Sequence, residues 1–142
     1  MKSKQVLDVQ QMQHLQELGL ELKETMLYWA RCVDNNPRAA THYGKWVLIK
    51  GNNAQTVGLM YWEFIPAYTL QDVLDALPKS LEIGKSKYEI SIYMIEGKWA
   101  IDYYSETDAD IQSLECENLI DAVYSRLCWA IENKFVETNK NE

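Results

Sequence analysis

The sequence has few of the residues on which disulfide-rich and metal-binding domains depend. Its three cysteines, Cys32, Cys116 and Cys128, are odd in number and lack C-x-x-C spacing. This argues against both a disulfide framework and a structural zinc site, and favours small buried thiols. No apolar run is long enough for a signal peptide or a membrane span. We therefore expect a cytoplasmic protein that binds no metal, has no cofactor and does not associate with membranes.

Glycine and histidine are also too sparse for the common catalytic motifs. The six glycines are scattered singly, which disfavours a P-loop or a Rossmann phosphate-binding loop. Only two histidines, His14 and His42, are present, and no G-x-S-x-G motif or Cys beside a plausible base occurs. We expect His14 on a helix surface and His42 in a loop, because no catalytic triad can be assembled from them. No catalytic residue is predicted, and we favour a protein that is not an enzyme.

Positive charge is scarce as well. The formal net charge is -7, from 14 basic and 21 acidic residues, and the longest basic stretch is Lys85-Ser-Lys87. Such a chain repels phosphate backbones, so we expect no nucleic-acid partner.

One acidic segment has the spacing of a calcium loop. Its carboxylates occupy positions one, three, five and twelve of such a loop: Glu106, Asp108, Asp110 and Glu117. The sixth position, however, is Ile111 where the sharp turn requires glycine. A solvated loop is the better interpretation.

Aromatic residues, by contrast, are abundant. Five Trp and nine Tyr in 142 residues are more than one hydrophobic core normally buries. Some of these rings are therefore expected to face a partner, a ligand or a second subunit.

The first half of the chain predicts one helix and three strands. Asp8 can cap a helix from about Val9 to Leu18, and Gly19 can end it in a left-handed conformation. Strands are predicted at about 25–33, 45–50 and 56–64, with a turn at 34–37. Because Gly51-Asn-Asn53 is typical of a hairpin, we expect an antiparallel meander.

The second half predicts a helix, a hairpin and a final helix. Thr69 with Asp72 resembles a capping box for a helix that Pro78 ends. A two-residue type II′ turn at Gly97-Lys98 would place one set of residues on the core side of the hairpin. That set is Ile90, Ile92, Met94, Trp99 and Ile101, with Tyr103 on the same face. Asn118 can open the last helix, which runs to about Glu132.

These elements define the predicted fold class. The order αβββαββα, with short connections between strands, predicts an α+β protein. We expect one antiparallel sheet of about five strands with helices packed on it. A single domain spans residues 1–142, with loose ends at about 1–7 and 136–142.

Three aromatic residues are candidates for partner binding: Tyr93, Tyr104 and Trp129. The two tyrosines lie on the hairpin face opposite the predicted core. Trp129 lies about half a turn from the centre of the apolar stripe of the last helix, so it needs a second cover. We favour the first helix as that cover, and a partner or second subunit is the alternative.

Parts of the second half resemble a known group of proteins. The relevant segments are Pro66-Ala-Tyr-Thr-Leu-Gln-Asp-Val-Leu-Asp-Ala-Leu-Pro78, the strand pair around Trp99 to Tyr104, and Asn118-Leu-Ile-Asp-Ala-Val-Tyr through Glu-Asn133. They resemble small uncharacterised proteins of prophages and other mobile elements in Bacteroides-like gut bacteria. This chain has Lys134 where the group is expected to have Gly. The resemblance implies a link to mobile elements but no activity.

Three functions remain open at this point. The leading hypothesis is a non-enzymatic protein-interaction or accessory factor of a mobile element, acting on an unknown protein partner or by self-association. The first alternative is a small-molecule or peptide-binding domain with an aromatic-lined pocket. The weaker alternative is a carboxylate-dependent hydrolase. An exposed flat patch would favour the first, a closed aromatic cavity the second, and a concave cleft bearing carboxylates the third.

Overall fold

The structure is a computed structural model, and it describes residues 4–32, 45–51 and 62–139. These residues form a mixed α+β fold with two antiparallel sheets. The described helices are α1 (Val9–Glu17), α2 (Leu70–Ala76) and α3 (Leu119–Glu132). The described strands are β1 (Leu27–Cys32), β2 (Val47–Lys50), β3 (Trp62–Pro66), β4 (Ser80–Ile83), β5 (Ser86–Ile95), β6 (Lys98–Tyr104) and β7 (Ile111–Cys116). The predicted turn at 34–37, Asn52, Asn53 and His42 lie outside the described residues.

The prediction of an α+β protein with antiparallel strands is confirmed, but the single five-stranded sheet is wrong. One sheet has three strands in the order β2-β1-β3, and the other has four in the order β4-β5-β6-β7. The analysis of the sequence missed β4, because it has only four residues between Pro78 and Gly84. It also missed β7, whose pairing with β6 is irregular near Ile101 and Tyr103. An irregular strand loses the strict apolar and polar alternation by which strands are recognised.

The three-stranded sheet is not a meander, because β1 lies in its centre and β2 does not pair with β3. The predicted meander is therefore wrong, and the hairpin turn predicted at Gly51-Asn-Asn53 lies mostly outside the described residues. Central β1 pairs with β2 and β3 through its backbone, and its Arg31 also pairs with Glu63 of β3 and places its guanidinium 4.6 Å from the ring centre of Trp46, which directly precedes β2. These contacts lie between residues distant in the sequence, so local turn signals do not reveal them.

Both ends of α1 form as predicted. Asp8 accepts a hydrogen bond from the backbone N–H of Gln11, and the Gln11 side chain accepts one from the N–H of Asp8. Gly19, with φ of 98°, follows the helix in the left-handed region.

Residues near both ends of the described chain make backbone hydrogen bonds to distant segments. The backbone N–H of Leu7 donates to the backbone carbonyl of Tyr68 at 2.9 Å, and the Leu7 side chain is fully buried. Near the other end, the N–H of Asn139 donates to the carbonyl of Gly19 at 2.9 Å. Leu7 and Asn139 are therefore both hydrogen-bonded to other parts of the described chain.

The hairpin turn lies one residue earlier than predicted. Ile95 pairs with Lys98, so the two-residue loop is Glu96-Gly97. Both residues have positive φ, 51° and 81°, which is typical of a type I′ turn. Moving the turn by one residue changes the register by two, so the same side chains still share a face. Ile92 now lies opposite Ile101.

Burial on that shared face is uneven. Ile101 and Tyr103 are fully buried, whereas Ile92 is 38% exposed and Met94 is 54% exposed. Ala100, on the opposite face, is fully buried. The prediction that Ile92 and Met94 belong to the core is therefore wrong. The physical reason is that α3 packs over β6 and β7 and does not reach the distal half of β5.

Helix α3 is the central element of the core. It packs against α2 on one side and against β6 and β7 on another. Buried residues from all three helices and both sheets join in one apolar cluster, which includes Leu7, Leu15, Ile65, Val73, Leu81, Ile101, Tyr103, Val123 and Leu127. No helix in the described part of the chain is long and apolar enough to span a membrane.

Candidate functional site

The structure separates the three predicted partner-binding residues. Tyr93 and Tyr104 lie on the outer face of the four-stranded sheet, where Tyr104 is 49% exposed. Trp129 lies on the other side of the sheet, with its ring centre 5.9 Å from Tyr103 and 5.4 Å from Phe135. The cover of Trp129 is thus intramolecular, and it comes from β6 and the segment after α3 instead of α1.

Trp129 also covers a buried cation. The Arg126 guanidinium lies 4.8 Å from the Trp129 ring and 5.9 Å from the Tyr103 ring, and its Nη2 donates to the carbonyl of Ile101 at 3.1 Å. Burial lowers the pKa of Arg126 and raises the pKa of Tyr103 to about 12. Trp129 and Tyr103 therefore form part of the packing between α3 and the sheet.

Tyr93 is held in place by a hydrogen bond. Its hydroxyl donates to Oδ2 of Asp102 at 2.9 Å, and Asp102 is buried although it lies on the outer face. This hydrogen bond raises the pKa of Tyr93, because an ionised phenol could no longer donate to the carboxylate. The bond links β5 to β6 near the distal end of the hairpin.

Beside Tyr93 the sheet has an open edge. Strand β4 pairs with β5 only at Ser86–Glu89, and the N–H of Ile90 donates to the carbonyl of Lys79 at 3.2 Å. Beyond that point Ser91–Ile95 pairs with β6 alone among the described residues. We call the unpaired side of Ser91–Ile95 the β5 edge.

The backbone groups that the β5 edge presents follow from the hairpin register. In a two-residue hairpin the residues flanking the turn form a hydrogen-bonded pair, and such pairs alternate along the strands. Ser91, Tyr93 and Ile95 therefore direct their backbone groups to β6. Ile92 and Met94 direct theirs to the open side, as Ile90 does toward Lys79.

The side chains of the β5 edge are apolar and partly exposed. Ile92 and Met94 project from one face and Ile95 from the other, and all three are among the large apolar residues with substantial exposure. Ser91–Ile95 contains no charge and no proline, the features by which edge strands usually avoid pairing with other chains. An unpaired backbone beside apolar side chains can receive an additional strand.

The sequence pattern did not predict this edge. Ile92 and Met94 were predicted to lie in the core, and no strand was predicted between α2 and β5. The sequence did contain one relevant signal, the short interval between Pro78 and Gly84. A strand in that interval is too short to pair with all ten residues of β5, so part of β5 must remain unpaired on that side.

A second candidate site is a cleft of about 520 Å³ between the segment after α1 and helix α2. Its lining includes five carboxylates, from Glu21, Glu24, Asp72, Asp75 and Glu137. Tyr68 is the one aromatic residue among the described residues that line it. The cleft therefore meets the criterion that we set for the hydrolase better than the criterion for an aromatic-lined pocket.

Some of these carboxylates already have structural partners. Oδ2 of Asp72 accepts hydrogen bonds from the hydroxyl of Thr25 at 2.7 Å and from the backbone N–H of Thr69 at 2.9 Å. Oδ1 of Asp75 accepts one from the Gln71 side chain at 2.8 Å. These contacts cap and support α2, which explains the two carboxylates without a catalytic role.

The segment with calcium-loop spacing has a different local structure. Asp108 accepts a hydrogen bond from the hydroxyl of Ser86, and Ile111–Cys116 forms strand β7. Across residues 4–32, 45–51 and 62–139, no group of three or more His, Cys, Asp or Glu side chains is arranged to hold a metal ion.

Comparison of the chain with models of protein families, with curated proteins and with solved structures gives no match. Function must therefore be argued from the β5 edge and the acidic cleft themselves.

Proposed function

We propose that this protein is a non-enzymatic interaction protein, an accessory factor of a mobile element, that binds a protein partner by accepting a strand at the β5 edge. The link to a mobile element comes from the resemblance of the second half of the chain. The binding mode comes from the open backbone at Ile92 and Met94. In strand addition, backbone hydrogen bonds provide affinity and alternate side chains provide specificity.

The exposure of Ile92 and Met94 is the observation that carries the proposal. Isolated apolar residues on a surface need no explanation, but here they flank unpaired backbone donors and acceptors on the same strand. An added strand would cover these side chains and satisfy the backbone groups in one step. Tyr93, fixed by Asp102, would then lie beside the added strand on the outer face.

Quantitative capture of host proteins on immobilised variants tests this binding mode. Met94→Lys places a charge in the apolar edge, whereas Leu48→Lys changes a residue of β2 that is 42% exposed. A true partner should be recovered by the wild type and by Leu48→Lys, with recovery at Met94→Lys reduced about tenfold or more. In the recovered complex, the amide of Ile92 should exchange with deuterium more slowly than in the free protein. Equal recovery on Met94→Lys would refute strand addition at this edge.

The acidic cleft supports a second candidate function, the binding of a cationic ligand. Five carboxylates against one lysine, Lys23, line a concave surface and would attract positive charge. Calorimetric titration with spermine tests it, with Glu24→Gln as the variant and Glu115→Gln, on β7, as the control. Binding that weakens only in Glu24→Gln supports the cleft. The absence of measurable binding at low salt would exclude a polyamine-type ligand.

A further inference from the structure

We infer that the strand received at the β5 edge is β5 of a second copy of this chain, so that two four-stranded sheets join into one. This inference rests on the proposed function and names the partner. It is supported by the register that the edge permits, by the composition of the segment and by the charges at its two ends.

Hydrogen-bond geometry restricts where the two-fold axis can lie. The two antiparallel copies of β5 must pair residues whose backbone groups both point outward, which are the even-numbered ones. If the axis lay at Ile92, Met94 of the second copy would have to lie opposite Ile90. Lys79 already occupies that position. An axis at Tyr93 would bring Ile95 of the second copy directly beside Lys79. An axis at Met94 leaves the most room.

With the axis at Met94, the two copies complement each other. The backbone N–H of each Met94 donates to the carbonyl of the other Met94, and the two side chains pack together across the axis. On the outer face, the backbone of Tyr93 lies opposite Ile95 of the second copy, while the Tyr93 hydroxyl stays on β6, where it donates to Asp102. Ser91–Ile95 contains no charged residue, so pairing two copies of this segment brings no like charges together.

The charges at the ends of the edge also favour a second copy. The chain as a whole carries -7, but Lys79 and Lys98 balance Glu89 and Glu96 around the edge. A strongly basic partner would therefore find no local excess of negative charge. In the dimer, Glu96 of one copy lies opposite Ile92 of the other, roughly 7 Å along the strand from Lys79. The Lys79 ammonium already donates to the carbonyl of Leu74 at 3.0 Å and has two further N–H groups, so the two-fold axis would create this opposite-charge pair twice.

A pairing of one short segment creates a small interface, so we expect a reversible dimer with a dissociation constant on the order of micromolar or weaker. Sedimentation equilibrium should show dimerisation by the wild type and by Leu48→Lys. Met94→Lys should be monomeric, with a dissociation constant raised at least about tenfold, because two like charges would meet at the axis. Met94 is 54% exposed, so this variant should fold, and circular dichroism checks that it does.

A cysteine scan tests the register itself. Cα atoms in a hydrogen-bonded antiparallel pair lie about 5.5 Å apart, within the range of a disulfide. Met94→Cys should therefore form a covalent dimer under mild oxidation. In Ile92→Cys the two new thiols would be about four residues, roughly 13 Å, apart along the strands, so cross-linking should be much slower. Leu48→Cys and the wild type measure the background from the native cysteines.

The outcomes distinguish the inference from the proposed function. Cross-linking of Met94→Cys no faster than of Leu48→Cys, or a wild type that remains monomeric at high concentration, would overturn the homodimer. If the wild type is monomeric while Met94→Lys still abolishes recovery of another protein, the edge binds a different partner and the proposed function stands. Selective cross-linking at Met94 together with dimerisation that Met94→Lys abolishes supports the inference.

Discussion

Truncation of Trp129 should unfold the protein more easily, because the indole joins α3 to the sheet within one chain. Trp129→Ala would remove the contacts with Tyr103 at 5.9 Å and with Phe135 at 5.4 Å. It would also remove the ring that lies 4.8 Å from the guanidinium of buried Arg126. All three contacts are intramolecular, so the loss should be visible in the isolated protein.

The magnitude follows from these contacts. Replacing a buried aromatic residue by Ala typically costs about 3–5 kcal/mol. Because Trp129 is only partly buried, the loss of stability in Trp129→Ala should lie near the lower end of that range. Each aromatic pair adds about 0.5–1.5 kcal/mol beyond area burial, and loss of the cation–π contact adds about 0.5–1 kcal/mol. We expect the free energy of unfolding to fall by about 3 kcal/mol.

Urea denaturation followed by far-UV circular dichroism measures this loss. Trp129→Phe, which keeps an aromatic face toward Phe135, should lose less than Trp129→Ala. A double-mutant cycle with Phe135→Ala should give a coupling energy of about 0.5–1.5 kcal/mol. A loss below about 1 kcal/mol for Trp129→Ala, measured where the protein is monomeric, would refute the intramolecular cover and indicate that another chain supplies it.

Three other predictions concern the turns and the N-terminus. Glu96→Asn should stabilise the protein by about 0.5–1 kcal/mol in urea denaturation, because Asn adopts the left-handed φ of a type I′ turn more readily than Glu; no change would contradict the turn type. Lys134→Gly should raise the thermal midpoint by a few degrees, because Lys134 has a φ of 65° directly after α3; a lower midpoint would contradict this. Burial alone would raise the pKa of Asp121, but hydrogen bonds from Lys4 and Gln11 hold it below its usual value of 3.8. The stability from this contact is present above that usual value and is lost as the pH falls through the lower folded pKa. Lys4→Met should therefore destabilise the protein at pH 7 but not in strong acid, and a difference independent of pH in urea titrations would refute the assignment.

Features that depend on a few neighbouring residues were predicted well from the sequence. The capping box of Thr69 and Asp72, with Oγ1 of Thr69 accepting from the N–H of Asp72 at 3.3 Å, starts α2 as expected. The Asp8 cap and Gly19 delimit α1 in the same way. These features are visible in sequence because the hydrogen bonds that define them span three or four residues.

Features that depend on distant residues were not predictable in the same way. The central position of β1 is defined by its pairing with β2 and β3, and Arg31 contacts Glu63 and Trp46 across that sheet, which no local pattern encodes. The turn at Glu96-Gly97 was misplaced by one residue because a single glycine suits more than one turn type. The side chains that share each face were nevertheless predicted, since a register shift of two preserves the alternation. For the candidate site, Tyr93 and Tyr104 were placed on the correct face, and the open edge beside Tyr93 was missed.

The β5 edge is open because of how the chain leaves α2. Leu77 is buried at the end of that helix, and the hydroxyl of Tyr103 donates to the carbonyl of Pro78 at 2.6 Å. Both contacts draw the chain toward the α3 side of the sheet, away from the distal half of β5. Strand β4 therefore cannot begin early enough to cover Met94. Within residues 4–32, 45–51 and 62–139, no second strand pairs with Ser91–Ile95 on this side. The packing of Leu77 and Pro78 leaves that side of β5 unpaired, which is the geometric basis for proposing that a partner strand binds there.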